Sequence, residues 1–464
     1  MRSRSATPLF LPPSRGRPAR AGGEEEPERL VANVQELLWE PGRRLRTRLA
    51  GVFLFWPLLA RMRFDRIVDR AEYPGSKMVP ATQALLSLLT LKLLDKERRS
   101  HIDDFNCDEA LGLFAGLNIL PKKSFATDYS YRTQRHQQAR LLKGWVQQLS
   151  PLLFPEASSF SLDFHAIPYR GEQAVLDNHY LPQRGHAGPS VLSFFAQERS
   201  SQVLCYANAN LTRATQGKAL DEFVRFWDDA TGCDPQWLYF DSKVVTYEEL
   251  SRLTERQIWF VTIRRRGESL LKRLRSLPAD QWHPTTLDIP KRRHQRIEYV
   301  DERVTLSGYD GEVRQIAVRG LGREEPTLFL TNNFAATVRE LVMNYARRNG
   351  VEDALGTSVN FFHLDCLSSE VRLNVDLDTV LTVLAHGCYR WLATRLRGFD
   401  SAKPKQVFRK FVETSGTVEI DSGRRIVVYF DRRAHNPILC EAALDKDCPK
   451  IPWADNHRLQ FVYL

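Results

Sequence analysis

From residue 159 to 165 apolar and polar positions alternate: Phe160, Leu162 and Phe164 face one way, and Ser161, Asp163 and His165 the other. A period of two predicts a strand with one buried face. Val191 to Ala196 and Val203 to Ala207 predict the next two strands, with Arg199-Ser-Ser-Gln at the turn between them. From Gly217 to Ala230 the period lengthens to that of a helix, with Leu220, Phe223, Val224 and Trp227 inward. Trp237-Leu-Tyr-Phe predicts a short buried strand ending at Asp241, Tyr247 to Leu253 a helix, and Ile258 to Ile263 a further strand.

Three strands, helix, strand, helix, strand is the run of elements of an RNase H-like α/β fold, a mixed sheet flanked by helices. The segments around it complete the organisation. Residues 1–28, rich in Pro, Gly, Arg and Glu, predict a disordered tail. Residues 29–150 predict a helical domain. Leu30, Val34, Leu37 and Leu38 repeat at helical spacing, and the run from Gln83 to Leu94 is apolar on most sides and predicts a buried helix. A further helix starts at Asp108, and one capped by Ser124 carries Arg132, Arg135, Arg140 and Lys143. The core spans 151–263 and 331–400. Between its halves, 264–330 predicts a β-rich basic insertion, with strands at Arg296 to Val304, Val313 to Val318 and Thr327 to Leu330. Ala335 to Arg348 returns to helix, Leu373 to Leu396 is long and apolar, and Gly416 to Asp421 with Arg425 to Asp431 predict a hairpin in a tail spanning 401–464.

Composition narrows the partners. A formal charge of +10 on 464 residues favours polyanions, nucleic acid first. None of the seven cysteines forms a C-x2-C pair, so neither a disulfide framework nor a zinc site is expected, and His386 and Cys388 read as core packing. The apolar run Val52 to Leu59 contains Pro57 and is far shorter than the roughly 20 residues of a spanning helix. No secretory signal is legible, and the expected location is the bacterial cytoplasm, nucleoid-associated when bound to DNA. No phosphate loop, G-x-G-x-x-G or G-x-S-x-G elbow is present, which leaves ATP use, nicotinamide cofactors and serine hydrolysis without support.

The candidate chemistry lies in carboxylates. Asp163 sits on the polar face of a strand and Asp241 directly follows another, so one sheet edge offers both. Divalent cations such as Mg²⁺ take carboxylate oxygens, and two-metal phosphoryl chemistry uses such an edge. Tyr345, Arg348 and Glu352 follow at steps of three and four and share a helical face. On that face Glu352 supplies a third carboxylate and Arg348 a phosphate contact; a surface helix with an Arg–Glu pair is the other reading. Trp282 in the insertion either stacks an unpaired base or packs locally. Lys291, Arg292 and Arg293 are basic contacts for DNA. His165 faces the same side as Asp163, while Asp353 and Asp365 compete with Glu352 but do not fit the spacing to Tyr345 and Arg348.

The ordered set Asp163, Asp241 and Glu352 resembles the DDE insertion-sequence transposases, in the branch whose third motif reads Tyr-x2-Arg-x3-Glu-x6-Lys. Tyr345, Arg348 and Glu352 match three of its positions, and Val359 stands where Lys belongs. The resemblance covers roughly 150–400. It implies Asp163, Asp241 and Glu352 as catalytic metal ligands for two Mg²⁺, or Mn²⁺ in their place. Tyr345 and Arg348 would then lie beside the DNA backbone, and the helical N-terminal part would bind transposon ends. It implies cleavage at those ends and strand transfer into target DNA, by a homodimer assembled on double-stranded DNA. Two other functions remain open on the same residues: a nuclease of this fold that cuts without joining, and a transposase-derived DNA-binding protein with impaired chemistry.

Overall fold

The computed structural model describes residues 37 and 39–464 except 106, 170–176, 182–184, 243–245, 289–294, 323–325 and 367–371. The tail predicted at 1–28 and the basic residues Lys291, Arg292 and Arg293 therefore lie outside the described residues.

Strand β1 (Arg44–Thr47) is followed by helices α1 (Trp56–Arg61), α2 (Phe64–Arg70), α3 (Ala81–Leu93), α4 (Glu109–Phe114), α5 (Lys123–Tyr131) and α6 (Arg135–Leu153). The apolar run in α3 is buried around nearly its whole circumference, as its composition requires. The basic helix predicted to start at Ser124 is instead two helices. The chain breaks at 132–134, and Gln134 opens α6 with its N–H donating to Gln137 Oε1 at 2.8 Å. One side of α6, including Leu141, Leu142, Trp145 and Leu149, is buried.

The predicted core follows as β2 (Ser159–Pro168), β3 (Asn178–Leu181), β4 (His186–Glu198), β5 (Leu204–Leu211), α7 (Ala219–Thr231), β6 (Trp237–Phe240), α8 (Tyr247–Glu255) and β7 (Trp259–Ile263). Spatially these strands run β5-β4-β2-β6-β7. β4 is antiparallel to β2 and to β5, while β6 is parallel to β2 and β7 parallel to β6. That order and sense define an RNase H-like sheet. β3 is an addition that pairs with the start of β4. The alternation read in β2 has its cause in α7: Phe160 packs on Phe223 and Trp227 at ring separations of 5.3 and 4.4 Å.

The predicted insertion does not form a layer of its own. After α9 (Glu268–Arg275), strands β8 (His283–Thr286), β9 (Arg296–Thr305), β10 (Glu312–Arg319) and β11 (Thr327–Thr331) extend the same sheet beyond β7 in the order β7-β11-β10-β9-β8. Every added pairing is antiparallel. The extension covers the edge of β7, which would otherwise present unpaired backbone groups.

The chain then enters α10 (Val338–Ala346), α11 (Asn349–Asn360) and α12 (Arg372–Arg395), the last packed against β5, α3 and α6. After α13 (Pro404–Val407), the predicted hairpin appears as β12 (Gly416–Asp421) and β13 (Arg425–Phe430). With α14 (Asn436–Ala442) beside it, β14 (Arg458–Tyr463) adds to β13 in parallel, and β1 adds to β12. A second sheet, β1-β12-β13-β14, thus joins residues 44–47 to the C-terminal segment, so the first 150 residues are not wholly helical. Among the described residues no helix is long and apolar enough to cross a membrane.

Candidate active site at the edge of the central sheet

Parallel pairing sets the first two carboxylates side by side. Leu162 on β2 and Phe240 on β6 form the last paired position, and Asp163 and Asp241 are the next residue on each chain. Phe160 and Leu162 are buried on the α7 side, which turns Asp163 to the opposite face. Both aspartates are anchored locally: the N–H of Phe164 donates to Asp163 Oδ1 at 2.9 Å, and the N–H of Ser242 donates to Asp241 Oδ1 at 2.6 Å.

The third carboxylate comes from α11, which packs on β2 and β4. The helix expected to run on through Arg348 is interrupted at Arg347 and Arg348, so Tyr345 ends one helix and Glu352 begins another. Gly350 has a packing reason to be glycine. A Cβ there would meet Gln197 Oε1 of β4 at 3.2 Å, so the missing side chain lets α11 lie close to the sheet.

Arg348 joins the parts. Its Nη1 donates to Asp163 Oδ2 at 3.2 Å, and its Nη2 donates to Glu352 Oε1. The guanidinium lies 5.7 Å from the centre of the half-buried Tyr345 ring, which stands edge-on to Phe329 at 5.2 Å. Arg348 is only 8% exposed, and its buried Nε has no hydrogen-bond partner among the described residues. Among the described residues Arg348 is thus a fixed cation between Asp163 and Glu352.

The electrostatics follow. Burial pushes the Asp163 carboxyl above the usual carboxylate range; Arg348 pulls it back, while the charges of Glu352 and Asp241 push it further up. Burial opposes the Arg348 charge, but Tyr345, Asp163, Glu352 and Asp241 outweigh it and hold the guanidinium firmly protonated. Burial also raises the Tyr345 phenol, with Arg348 acting against it.

The donor chemistry of Asp163, Asp241 and Glu352 fits a hard divalent cation, and the mutual repulsion felt at Asp163 is what such a cation relieves. Among the described residues no group of three His, Cys, Asp or Glu side chains is gathered closely enough to grip an ion, and Glu352 accepts a hydrogen bond from Arg348.

The remaining candidates separate clearly. Asp353 is tied to Lys403 at 2.6 Å on an exposed surface. Asp365 lies on a short 3-10 turn (Leu364–Cys366) and meets His165 Nε2 at 2.6 Å. Sequence reasoning set His165 beside Asp163 but missed this partner, 200 positions away. Val359 packs against the main core from α11, an apolar role where the family motif has Lys. Trp282 is a correction to the expected base-stacking role. It is 6% exposed, packed among Leu274, Ala317 and Leu328, with the Arg319 guanidinium 4.3 Å from its ring centre. Its ring is not open to a base.

No family model and no curated protein matches the sequence. Among solved structures, a cryo-EM structure of a piggyBac transposase synaptic complex with hairpin DNA is similar at a TM-score of 0.44 and 11% identity, over 80% of this chain and 82% of that one. The likeness is loose, and the RNase H-like assignment rests on the strand order and sense of the central sheet.

Proposed function

We propose that this chain is a DNA transposase whose carboxylates Asp163, Asp241 and Glu352 form a metal-dependent phosphoryl-transfer site. The observation that carries this reading is the placement of Asp163 and Asp241 one residue past the last pair of two central parallel strands, with Glu352 held beside them through Arg348. Bound Mg²⁺ or Mn²⁺ would supply Lewis-acid activation of a water or a 3′-hydroxyl. The chain's own residues do the positioning. The backbone N–H groups of Phe164 and Ser242 fix one oxygen of each aspartate, and Arg348 holds the second oxygen of Asp163. Arg348 neutralises charge and, on exchanging a carboxylate for a DNA phosphate, orients the strand. Tyr345 seats the guanidinium. Lys291, Arg292 and Arg293 are basic residues for the flanking DNA.

The reaction is end cleavage followed by attack of the freed 3′-hydroxyl on a second phosphodiester, and joining two ends calls for two protomers on DNA. A second reading, a DNA-binding protein with impaired chemistry, is favoured by Val359 and by the engagement of Arg348 with both Asp163 and Glu352.

The test mixes the protein with duplexes made from the DNA on each side of its gene, with any inverted repeat found there, in Mg²⁺ or EDTA, beside Asp241→Asn. Metal-dependent 3′-ends at the repeat junction plus joined products, both absent in the variant, are expected. Cleavage without joining indicates the nuclease, and binding without cleavage in either protein indicates the impaired form.

A further inference from the structure

We infer that the crossing of α2 and α6 forms a binding surface for the phosphate backbone of duplex DNA, separate from the carboxylate site. This deepens the proposed function, on whose DNA partner it rests. A groove of about 380 Å³ lies between the two helices. Among the described residues five cations line it, Arg63, Arg66, Arg70, Arg140 and Lys143, and no carboxylate does. The exposed amides of Gln147 and Gln148 add neutral donors. The groove exists because α6 carries Gly144 where it meets α2: a Cβ there would stand 2.8 Å from Ile67 Cγ2.

The state of the cations points to a polyanion. Arg63 is paired with Asp65, Arg140 with Glu72, and Lys143 with Asp229 at 3.7 Å. Arg66 and Arg70 are exposed and have no ion pair among the described residues. They are four apart on one helix, so their side chains project together, about 5–6 Å between Cβ atoms. Two adjacent guanidiniums at this spacing repel one another weakly, and an anion placed between them removes that repulsion.

An extended ligand is favoured over a single phosphate. Arg140 and Lys143 also form one wall of a second groove, about 790 Å³, on the α7 side of α6. There Lys218 and Arg252 are exposed and likewise without an ion pair among the described residues, while Asp221, Glu222 and Asp229 hold the other cations. Exposed cations thus flank α6 on both sides. Duplex DNA offers such a track, with one charge per roughly 1.7 Å of axis.

The experiment measures binding of the full chain to a duplex without repeat sequence, in EDTA, over a range of salt. The variant is Arg66→Gln with Arg70→Gln, Lys218→Gln and Arg252→Gln. A control removes four exposed charges elsewhere: Lys405→Gln, Lys446→Gln, Lys450→Gln and Arg458→Gln. Each lost phosphate contact lowers the slope of log K against log salt by about 0.9, so the groove variant is expected to lose roughly 3 to 4 units of slope and the control almost none. Equal losses in both, or an unchanged slope in the groove variant, overturn the inference; so does a loss confined to heparin or to duplex RNA. Unfolding midpoints of both variants establish that the fold is kept. EDTA excludes chemistry from the readout, so a failed groove with intact cleavage leaves the proposed function standing. Slope loss without cleavage in Mg²⁺ does the reverse.

Discussion

Asp163 and Asp241 occupy equivalent positions, each one residue beyond the paired ends Leu162 and Phe240 of two parallel strands. Each carboxylate accepts a hydrogen bond from the N–H of the residue after it. If both hold one metal site, their losses are not independent. Asp163→Asn and Asp241→Asn are each expected to slow single-turnover DNA cleavage about a thousandfold, the several kcal/mol that metal-ion catalysis supplies. The double variant is expected to be no slower than either single one. Additive losses would assign the two aspartates to separate tasks.

The same Asp163 has an opposite effect on stability. Burial raises its folded-state carboxyl above the unfolded value, with Arg348 only partly compensating. A raised carboxyl favours the fold when protonated, and that contribution is lost as pH rises through the raised value. At neutral pH the ionised group therefore weakens the fold. Asp163→Asn is expected to be more stable than wild type near pH 7 by about 1 kcal/mol, a function-for-stability exchange of ordinary size. The gap closes as pH falls and the native carboxyl takes up its proton. Denaturant midpoints at pH 4 to 8 measure this; a variant less stable than wild type at pH 7 contradicts it.

Sequence periodicity made much of this legible, because local burial sets it. The alternation at 159–165 and the short apolar run at 237–240 correspond to β2 and β6, and both aspartates were visible, Asp163 on the polar face of the first and Asp241 directly after the second. What periodicity does not carry is pairing. That β8 to β11 continue the central sheet, and that β1 joins β12, are set by which edges remain open, not by their own patterns. The role of Arg348 was half legible. Its spacing to Glu352 showed the ion pair, but its bond to Asp163 spans 185 positions. Trp282 shows what local sequence leaves open: stacking on a base and packing locally were both compatible with its neighbours, and Arg319 and Ala317 from a later strand decide for packing. Trp282→Phe is accordingly expected to leave DNA affinity unchanged while lowering the unfolding midpoint, which titration and melting of one preparation separate.

Lys92 and Asp378 join the N-terminal helices to the core through a buried ion pair. Lys92 Nζ lies 2.6 Å from Asp378 Oδ2 and also donates to the Phe362 carbonyl at 2.7 Å. The two side chains are 5% and 7% exposed. Removing one partner leaves the other charge buried, at a cost of about 3–5 kcal/mol. Lys92→Met and Asp378→Asn are each expected to destabilise by that amount. The double variant should be more stable than the sum of the two predicts. Chemical denaturation of all four proteins gives the coupling directly, and simple additivity would mean the pair is not coupled.

Gly144 sets the approach of α2 to α6, and with it the shape of the groove between them. The Cβ of Gly144→Ala would meet Ile67 Cγ2 at 2.8 Å, and Ile67 is β-branched and stiff at that bond. The helices must part or Ile67 must leave its rotamer, an overpacking cost of about 1–3 kcal/mol. Adding Ile67→Ala makes room for the new methyl, so the clash disappears but a buried side chain is lost. If the clash is the cause, the effect of Gly144→Ala will be smaller in the Ile67→Ala background than in wild type. An equal cost in both would trace the loss to the backbone of α6. That outcome is not expected, since alanine is the better helix former in isolation.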